Sequence, residues 1–140
     1  MLPQLSLVAE LSVTIDTPYL IGEIGTGIRE VIPITGGTVH GPRLNGIVLP
    51  GGADWCLTRP DGICEISARY TNRTNDGVLI SIVNAGLARQ TPAGDFTGNT
   101  VPQFEVATGT YDWLRTASFV GTLLTRGDGT LARATVFEIA

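Results

Sequence analysis

Residues 5–15 read LSLVAELSVTI, and the alternation within this stretch decides the fold class. Every second residue is apolar: Leu5, Leu7, Ala9, Leu11, Val13 and Ile15. The residues between them are mostly polar, so the hydrophobic period is two, which is typical of a β-strand with one buried face. We therefore expect a long, half-buried strand at the start of the chain.

The rest of the chain is divided at short intervals by glycine-containing turns. These turns lie at 36–37, 50–52, 60–62, 75–77 and 127–129. The stretches between them are rich in strand-forming residues and cover 28–34, 44–49, 63–71, 78–84, 117–124 and 131–139. Asp-Gly turns favour antiparallel hairpins. The sequence thus predicts one all-β domain over residues 1–140, a small closed or nearly closed antiparallel β-barrel of about 8–10 strands, because closure removes unpaired edges.

One segment interrupts this pattern. Residues 87–100 read LARQTPAGDFTGNT, which is polar and shows no alternation. We expect a long loop here, either a lid over a binding site or an ordinary mobile loop.

Composition and charge exclude several classes of function. The net charge is −4 and the sequence pI is about 4.8, which argues against a nucleic-acid partner. All nine basic residues are arginines, so no lysine is present for Schiff-base chemistry. A single histidine, His40, cannot build an imidazole metal site, and we expect neither a metal nor another cofactor.

Two features of the sequence bear on where the protein is located in the cell. The N-terminus MLPQLSLVAELSV has no basic start followed by a cleavage site, and no apolar run is long enough to span a bilayer. We therefore expect a cytoplasmic protein without a membrane partner.

Cys56 and Cys64 flank the Pro60-Asp61-Gly62 turn, and pairing Thr58 with Cys64 would place the two sulfurs diagonally on one face. In the cytoplasm the expectation is two buried thiols.

Several runs of sequence together resemble a known family. They are HGPRLNGIVLPGGADW (40–55), RPDG (59–62), ARY (68–70), DGVLISIVNAG (76–86), PQFE (102–105) and YDWL (111–114). These runs resemble the domain-of-unknown-function family 3237, also called the uncharacterised protein family 0311, over about residues 21–119. The resemblance implies a small antiparallel β-barrel, commonly a dimer, and it brings no agreed activity. The 87–100 segment departs mildly from the family pattern.

The run PGGADW (50–55) contains the leading candidate site. Gly51 and Gly52 make the turn, so Asp54 is not needed for it, and Trp55 offers a stacking surface beside the carboxylate. Inward-facing polar groups of a barrel are costly unless they are paired or bind a ligand. Asp76, in contrast, has the position of an ordinary Asn-Asp-Gly turn residue.

The other candidates are polar or aromatic residues of the same motifs. The predicted catalytic residues are Asp54, Arg69, Tyr70 and Glu105, and the predicted substrate-binding residues are Trp55, His40, Tyr111 and Trp113. Arg69 and Tyr70 are neighbours in one strand, so only one of them can face the lumen, and the sequence leaves open which one does.

Two function classes fit these residues. The first is a cofactor-independent enzyme that moves a proton on a small aromatic or carbonyl-bearing compound, as isomerases, cyclases and lyases do. The second is a non-catalytic barrel that binds a similar small organic ligand. Residues 78–84 are apolar on both faces, and a barrel wall has one inward face, so we also expect a homodimer.

Overall fold

The protein is nearly all β in the computed structural model, which describes all 140 residues. Its strands are β1 (Leu5–Ile15), β2 (Tyr19–Glu23), β3 (Ile28–His40), β4 (Gly46–Val48), β5 (Gly52–Thr58), β6 (Cys64–Thr74), β7 (Leu79–Gln90), β8 (Phe96–Val106), β9 (Ser118–Thr125) and β10 (Leu131–Ile139). The one helix, α1 (Trp113–Thr116), is a single turn.

The strands form one antiparallel sheet that closes on itself. Consecutive neighbours pair from β6 through β10, β10 pairs with β1, and β1 pairs with β3. β4 and β5 both lie between β3 and β6, while β1 and β2 pair with successive parts of β3. The ten strands therefore fill eight positions around the wall, which confirms the predicted barrel.

The two ends of the barrel differ. At one end, here called the closed end, the β8–β9 connection folds α1 across the lumen, and Leu114 is only 2% exposed within the main core cluster. The main core fills the lumen above this helix with Leu11, Ile80, Ile82 and Val136. The opposite end, here called the open end, is bordered by the connections that follow β1, β5, β7 and β9.

The alternation of β1 holds only in part. A register shift between Leu7 and Ala9 reverses the side-chain direction on the N-terminal side of the strand. Ala9, Leu11 and Val13 face the lumen as predicted, whereas Leu5 and Leu7 are 56% and 41% exposed. Periodicity alone does not reveal such a bulge.

The prediction of a long loop at 87–100 is wrong. β7 continues to Gln90 and β8 begins at Phe96, so only residues 91–95 form a turn between two paired strands. Gly98 approaches β7 closely, since a Cβ at this position would lie 2.0 Å from the carbonyl oxygen of Leu87. The polar residues that suggested a loop belong to a β-hairpin. Pairing between its two strands forms this hairpin even though its sequence shows no hydrophobic alternation. No helix of the structure is long and apolar enough to span a membrane.

Candidate functional site

The two glycines of the Pro50–Asp54 run bring Asp54 into the lumen. Gly51 has a φ of +109°, which forms the turn between β4 and β5. Gly52 lies against β6, where a Cβ would come within 2.4 Å of the Arg69 carbonyl oxygen. The turn and the close approach start β5 in the register that pairs Asp54 with Ile32 and Ala68 on the inner face.

The Asp54 carboxyl is largely buried and has one hydrogen bond. Its Oδ1 accepts from the backbone N–H of Ser67 at 3.0 Å. Burial raises the pKa of Asp54 to about 6, although the Ser67 hydrogen bond and the positive charge of Arg29 lower the pKa in the opposite direction. A carboxyl with a pKa near neutrality can both give and take a proton under physiological conditions.

Asp54 lies at the bottom of a cavity of about 210 Å³ that opens at the open end, here called the lumen cavity. Its walls are mainly apolar and include Ile15, Ile32, Ile66, Phe96 and Leu123. This volume suits a small organic molecule, since an apolar protein cavity of about 150 Å³ holds benzene.

Charged side chains also line the lumen cavity. Asp16 and Glu30 join Asp54 as acidic groups, and Arg126, on the β9–β10 connection, is the cavity's basic residue. The three carboxyl groups and one guanidinium make the lining acidic, so it favours an uncharged ligand over an anionic one.

Cys56 and Cys64 form part of the same wall. Thr58 pairs with Cys64, which confirms the predicted register and the diagonal placement of the two sulfurs. The expectation of two free thiols is not met, because the structure joins these residues as a disulfide with a Cα–Cα distance of 6.4 Å. A diagonal pair on one face of neighbouring strands lies within the Cα separation that a disulfide spans.

The structure resolves which of Arg69 and Tyr70 faces the lumen. Tyr70 is 4% exposed and faces inward, while Arg69 lies on the outer face beside Ser81, Gln103 and Glu105. Burial, together with the negative charge of Asp54, raises the pKa of Tyr70, so its hydroxyl stays protonated.

Three further predicted site residues lie outside the lumen. Trp55 follows Asp54 in a regular strand and therefore points to the outer face, where it is 43% exposed. Glu105 shares the outer face with Arg69, and His40 is exposed at the end of β3. The stacking surface expected beside Asp54 is thus not Trp55, and the aromatic residue of the cavity wall is Phe96 instead.

The remaining two predicted residues lie at the closed end. The Tyr111 hydroxyl donates to Asp76 Oδ1 at 2.9 Å, and the Arg43 guanidinium lies 3.8 Å from the Trp113 ring centroid. Asp76 also accepts a short hydrogen bond from the Thr74 hydroxyl. These contacts fasten the closed end, and they lie at the opposite end of the barrel from the lumen cavity.

Sequence reasoning missed Asp16, Glu30 and Arg126. A signal was present for Glu30, because β3 places it on the same face as Ile28, Ile32 and Ile34. A lone carboxylate on an otherwise apolar strand face marks a lumen residue. Asp16 and Arg126 lie in connections, where no alternation indicates direction.

Comparison with known proteins agrees with this architecture. A family model described as protein of unknown function (DUF3237) matches residues 3–139. The chain belongs to this family. The match covers almost the whole barrel, including the lumen cavity.

Similar DUF3237 sequences come from several bacteria and are described only as UPF0311 proteins. One from Clostridium acetobutylicum is 41% identical over 128 residues, covering 81% of this chain and 80% of the relative. One from Rhodopseudomonas palustris is 38% identical over 120 residues, covering 76% of this chain and 78% of the relative.

Solved structures share the barrel. A protein of unknown function from Clostridium acetobutylicum superposes with a TM-score of 0.91 at 33% identity, covering 99% of this chain and 100% of that one. An enzyme from Penicillium herquei superposes with a TM-score of 0.78 at 21% identity, covering 100% of this chain and 96% of that one. At this identity the similarity to the fungal enzyme shows that the two proteins share a fold, and it carries no information about activity.

Proposed function

We propose that this protein is a cofactor-independent enzyme that transfers a proton on a small, uncharged aromatic or carbonyl-bearing compound held in the lumen cavity. The observation that carries the proposal is Asp54, a carboxyl group with a pKa of about 6 at the bottom of a largely apolar cavity. Perturbed carboxyl groups in clefts are typical of general acids and bases. The fungal enzyme with the same fold is consistent with catalysis on this barrel.

In this proposal Asp54 is the acid or base, and its ionised form takes a proton from carbon or oxygen of the ligand. Tyr70 faces the lumen from the main core, outside the lining of the lumen cavity, and keeps its proton. Its role as hydroxyl donor toward a developing oxyanion or enolate therefore requires the ligand to reach beyond Asp54. Arg69 and Glu105 have no part, because they lie on the outer face. Isomerisation, cyclisation and elimination of water need only these groups.

A screen for turnover tests the proposal. Purified protein is incubated with uncharged aromatic ketones, phenols and enols, and products are detected by mass spectrometry. For any compound converted, Asp54→Asn should lower kcat by about 10²-fold or more, since it keeps the size of the side chain but cannot transfer a proton. The control Glu10→Gln, on the outer face of β1, should retain full activity. Equal kcat values for wild type and Asp54→Asn would refute the role of Asp54.

A non-catalytic ligand-binding barrel is the second candidate. It is favoured by the outward position of Arg69 and Glu105, which leaves Asp54 with fewer catalytic partners than the sequence suggested. Compounds that bind in the lumen cavity and are never converted by wild-type protein would support this candidate.

We also propose a homodimer that covers one outer face of the barrel. Val31 pairs with Tyr19 on one side and with Trp55 on the other, and Ala85 pairs with Val101, so two apolar groups lie on this face, separated by the exposed Ser67 of β6. Tyr19, Trp55 and Val101 are 70%, 43% and 56% exposed. An apolar surface of this kind is typical of an interface between copies.

Light scattering tests the dimer. Wild type at micromolar concentration should show twice the monomer mass of 14.8 kDa. Val101→Glu should show the monomer mass, because it puts a charge into the apolar face, whereas Arg133→Glu, on the outer face of β10, should leave the dimer intact. A monomeric wild type would refute the proposal.

A further inference from the structure

Both sulfurs of the disulfide lie on the inner face of the barrel. Cys56 pairs with Glu30 of β3, and Cys64 pairs with Ala88 of β7. These four residues all line the lumen cavity, and Cys56 is two residues from Asp54 along the same face of β5. The sulfur–sulfur bond is therefore part of the surface that a molecule in the cavity meets.

The outer side of the wall offers no comparable route to the sulfurs. Cys56 and Cys64 are only 7% and 5% exposed. On the outer face beside Cys56, Leu57 is 6% exposed, and the Glu65 carboxylate beside Cys64 lies 3.7 Å from the Arg59 guanidinium. A small reagent thus reaches the disulfide through the open end of the barrel.

The disulfide has little to add to the bracing of this wall. It joins two strands that already pair as a hairpin, and its cysteines are only 8 residues apart. The stabilisation that a cross-link supplies falls as the closed loop becomes shorter. Its place in the lining of the lumen cavity is its more distinctive property.

We propose that the Cys56–Cys64 disulfide is a thiol-exchange site, which a small dithiol reduces by entering the lumen cavity of the folded barrel. A cavity of about 210 Å³ has room for such a molecule, since one of about 150 Å³ holds benzene. The proposal does not depend on proton transfer by Asp54, so either idea can fail without the other.

The exchange is an ordinary two-step reaction of thiols. One thiolate of the dithiol attacks a cysteine sulfur, the S–S bond breaks, and the second cysteine leaves as a thiolate that takes a proton from water. The second thiol of the reagent then attacks the mixed disulfide, releases the first cysteine and closes a cyclic disulfide. The protein gains two electrons and two protons, and the dithiol loses the same number.

Reduction of the folded protein by dithiothreitol tests the proposal. Protein purified without reductant is incubated with dithiothreitol near pH 8, and samples are alkylated with iodoacetamide and counted by mass spectrometry. Wild type should show no alkylated cysteine before reduction and two after it. Free thiols in wild type before reduction would overturn the proposal.

A matched pair of charge variants identifies the side from which the thiolate arrives. Glu30→Gln removes a carboxylate from the lumen cavity and should raise the rate of reduction about threefold, because the thiolate is also negative. Glu65→Gln removes a carboxylate from the outer face beside Cys64 and should leave the rate within about 1.5-fold of wild type. The reverse order of effects would place the attack on the outer face and overturn the proposal.

Narrowing the cavity gives an effect of opposite sign. Ala88→Leu adds bulk to the cavity wall opposite Cys64 and should slow reduction about tenfold. Loss of stability in this variant cannot imitate that result, because easier unfolding would speed the reduction. An unchanged or faster rate in Ala88→Leu would overturn the proposal.

Urea separates entry into the folded barrel from reduction after unfolding. Reduction through the cavity should change less than about twofold between no urea and about 1 M urea, whereas reduction through global unfolding should rise about tenfold or more. A rise of the second size would overturn the proposal.

A ligand in the lumen cavity should shield the disulfide. The probe is 2-naphthol, a phenol of the class proposed above. At a concentration where calorimetry shows about nine-tenths of the protein bound, reduction should be about tenfold slower. An unchanged rate in the occupied protein would show that the sulfurs are reached by another route.

Discussion

The two ends of this barrel each contain an aspartate near a tyrosine, and the two aspartates differ in their partners. At the closed end, Asp76 accepts hydrogen bonds from the hydroxyls of Thr74 and Tyr111, and these hydrogen bonds lower the pKa of Asp76. At the open end, Asp54 has only the Ser67 N–H, and burial raises its pKa to about 6. A carboxylate whose hydrogen bonds are satisfied within the protein stabilises a structure, while one that is buried and undersatisfied is available to a ligand.

The largest difference that we expect between the two ends is in how much stability is lost when a packed side chain is truncated. Leu114→Ala at the closed end should destabilise the protein by about 2–5 kcal/mol, because Leu114 is 2% exposed in the main core. The matched variant Leu123→Ala should cost clearly less, since Leu123 is half-buried and borders the lumen cavity. Chemical denaturation with urea measures both. Equal losses of stability would show that the open end is packed as tightly as the closed end.

The pH dependence of stability should identify Asp54. A carboxyl with a raised folded-state pKa binds more protons in the folded state, so its contribution to stability falls as the pH rises from about 4 to about 6. Asp54→Asn removes this penalty and should be more stable than wild type at pH 7 by up to about 3 kcal/mol. The two proteins should have similar stability near pH 4. Denaturation curves for both at pH 4 and pH 7 give the comparison, and a less stable Asn variant at pH 7 would mean that the Asp54 charge is stabilising.

Asp76 should show the opposite dependence. Its lowered pKa contributes stability above about pH 4, and this contribution is lost as the pH falls through the folded-state pKa. Asp76→Asn should therefore lower the Tm at pH 7, and the difference from wild type should shrink at pH 3. A smaller change is expected than for Asp54, because Asp76 is solvated. Melting curves at the two pH values would contradict the comparison if the Tm difference were larger at pH 3.

The smallest effect is expected on the outer face. Trp55→Ala should leave the affinity for 2-naphthol within about twofold of wild type in calorimetry, because Trp55 points away from the lumen. Phe96→Ala, which alters a wall of the lumen cavity, should weaken the same binding. A large loss of affinity in Trp55→Ala alone would place the ligand outside the barrel.

The sequence by itself determined the fold class and the position of the central carboxylate. Period-two alternation and Gly-containing turns are local properties, and they were sufficient to predict an antiparallel barrel. Strict alternation also required Trp55 to face away from Asp54, as it required Arg69 and Tyr70 to face opposite ways.

Only the tertiary structure decided which face of each strand points inward and which residues meet. The bulge between Leu7 and Ala9, the hairpin at 87–100 and the Cys56–Cys64 disulfide depend on pairing between strands. Glu30, Asp54 and Arg126 lie far apart in the sequence, and closure of the barrel places them around one cavity. Local propensity describes each strand separately, whereas register and closure set the distances between side chains, and those distances define the candidate site.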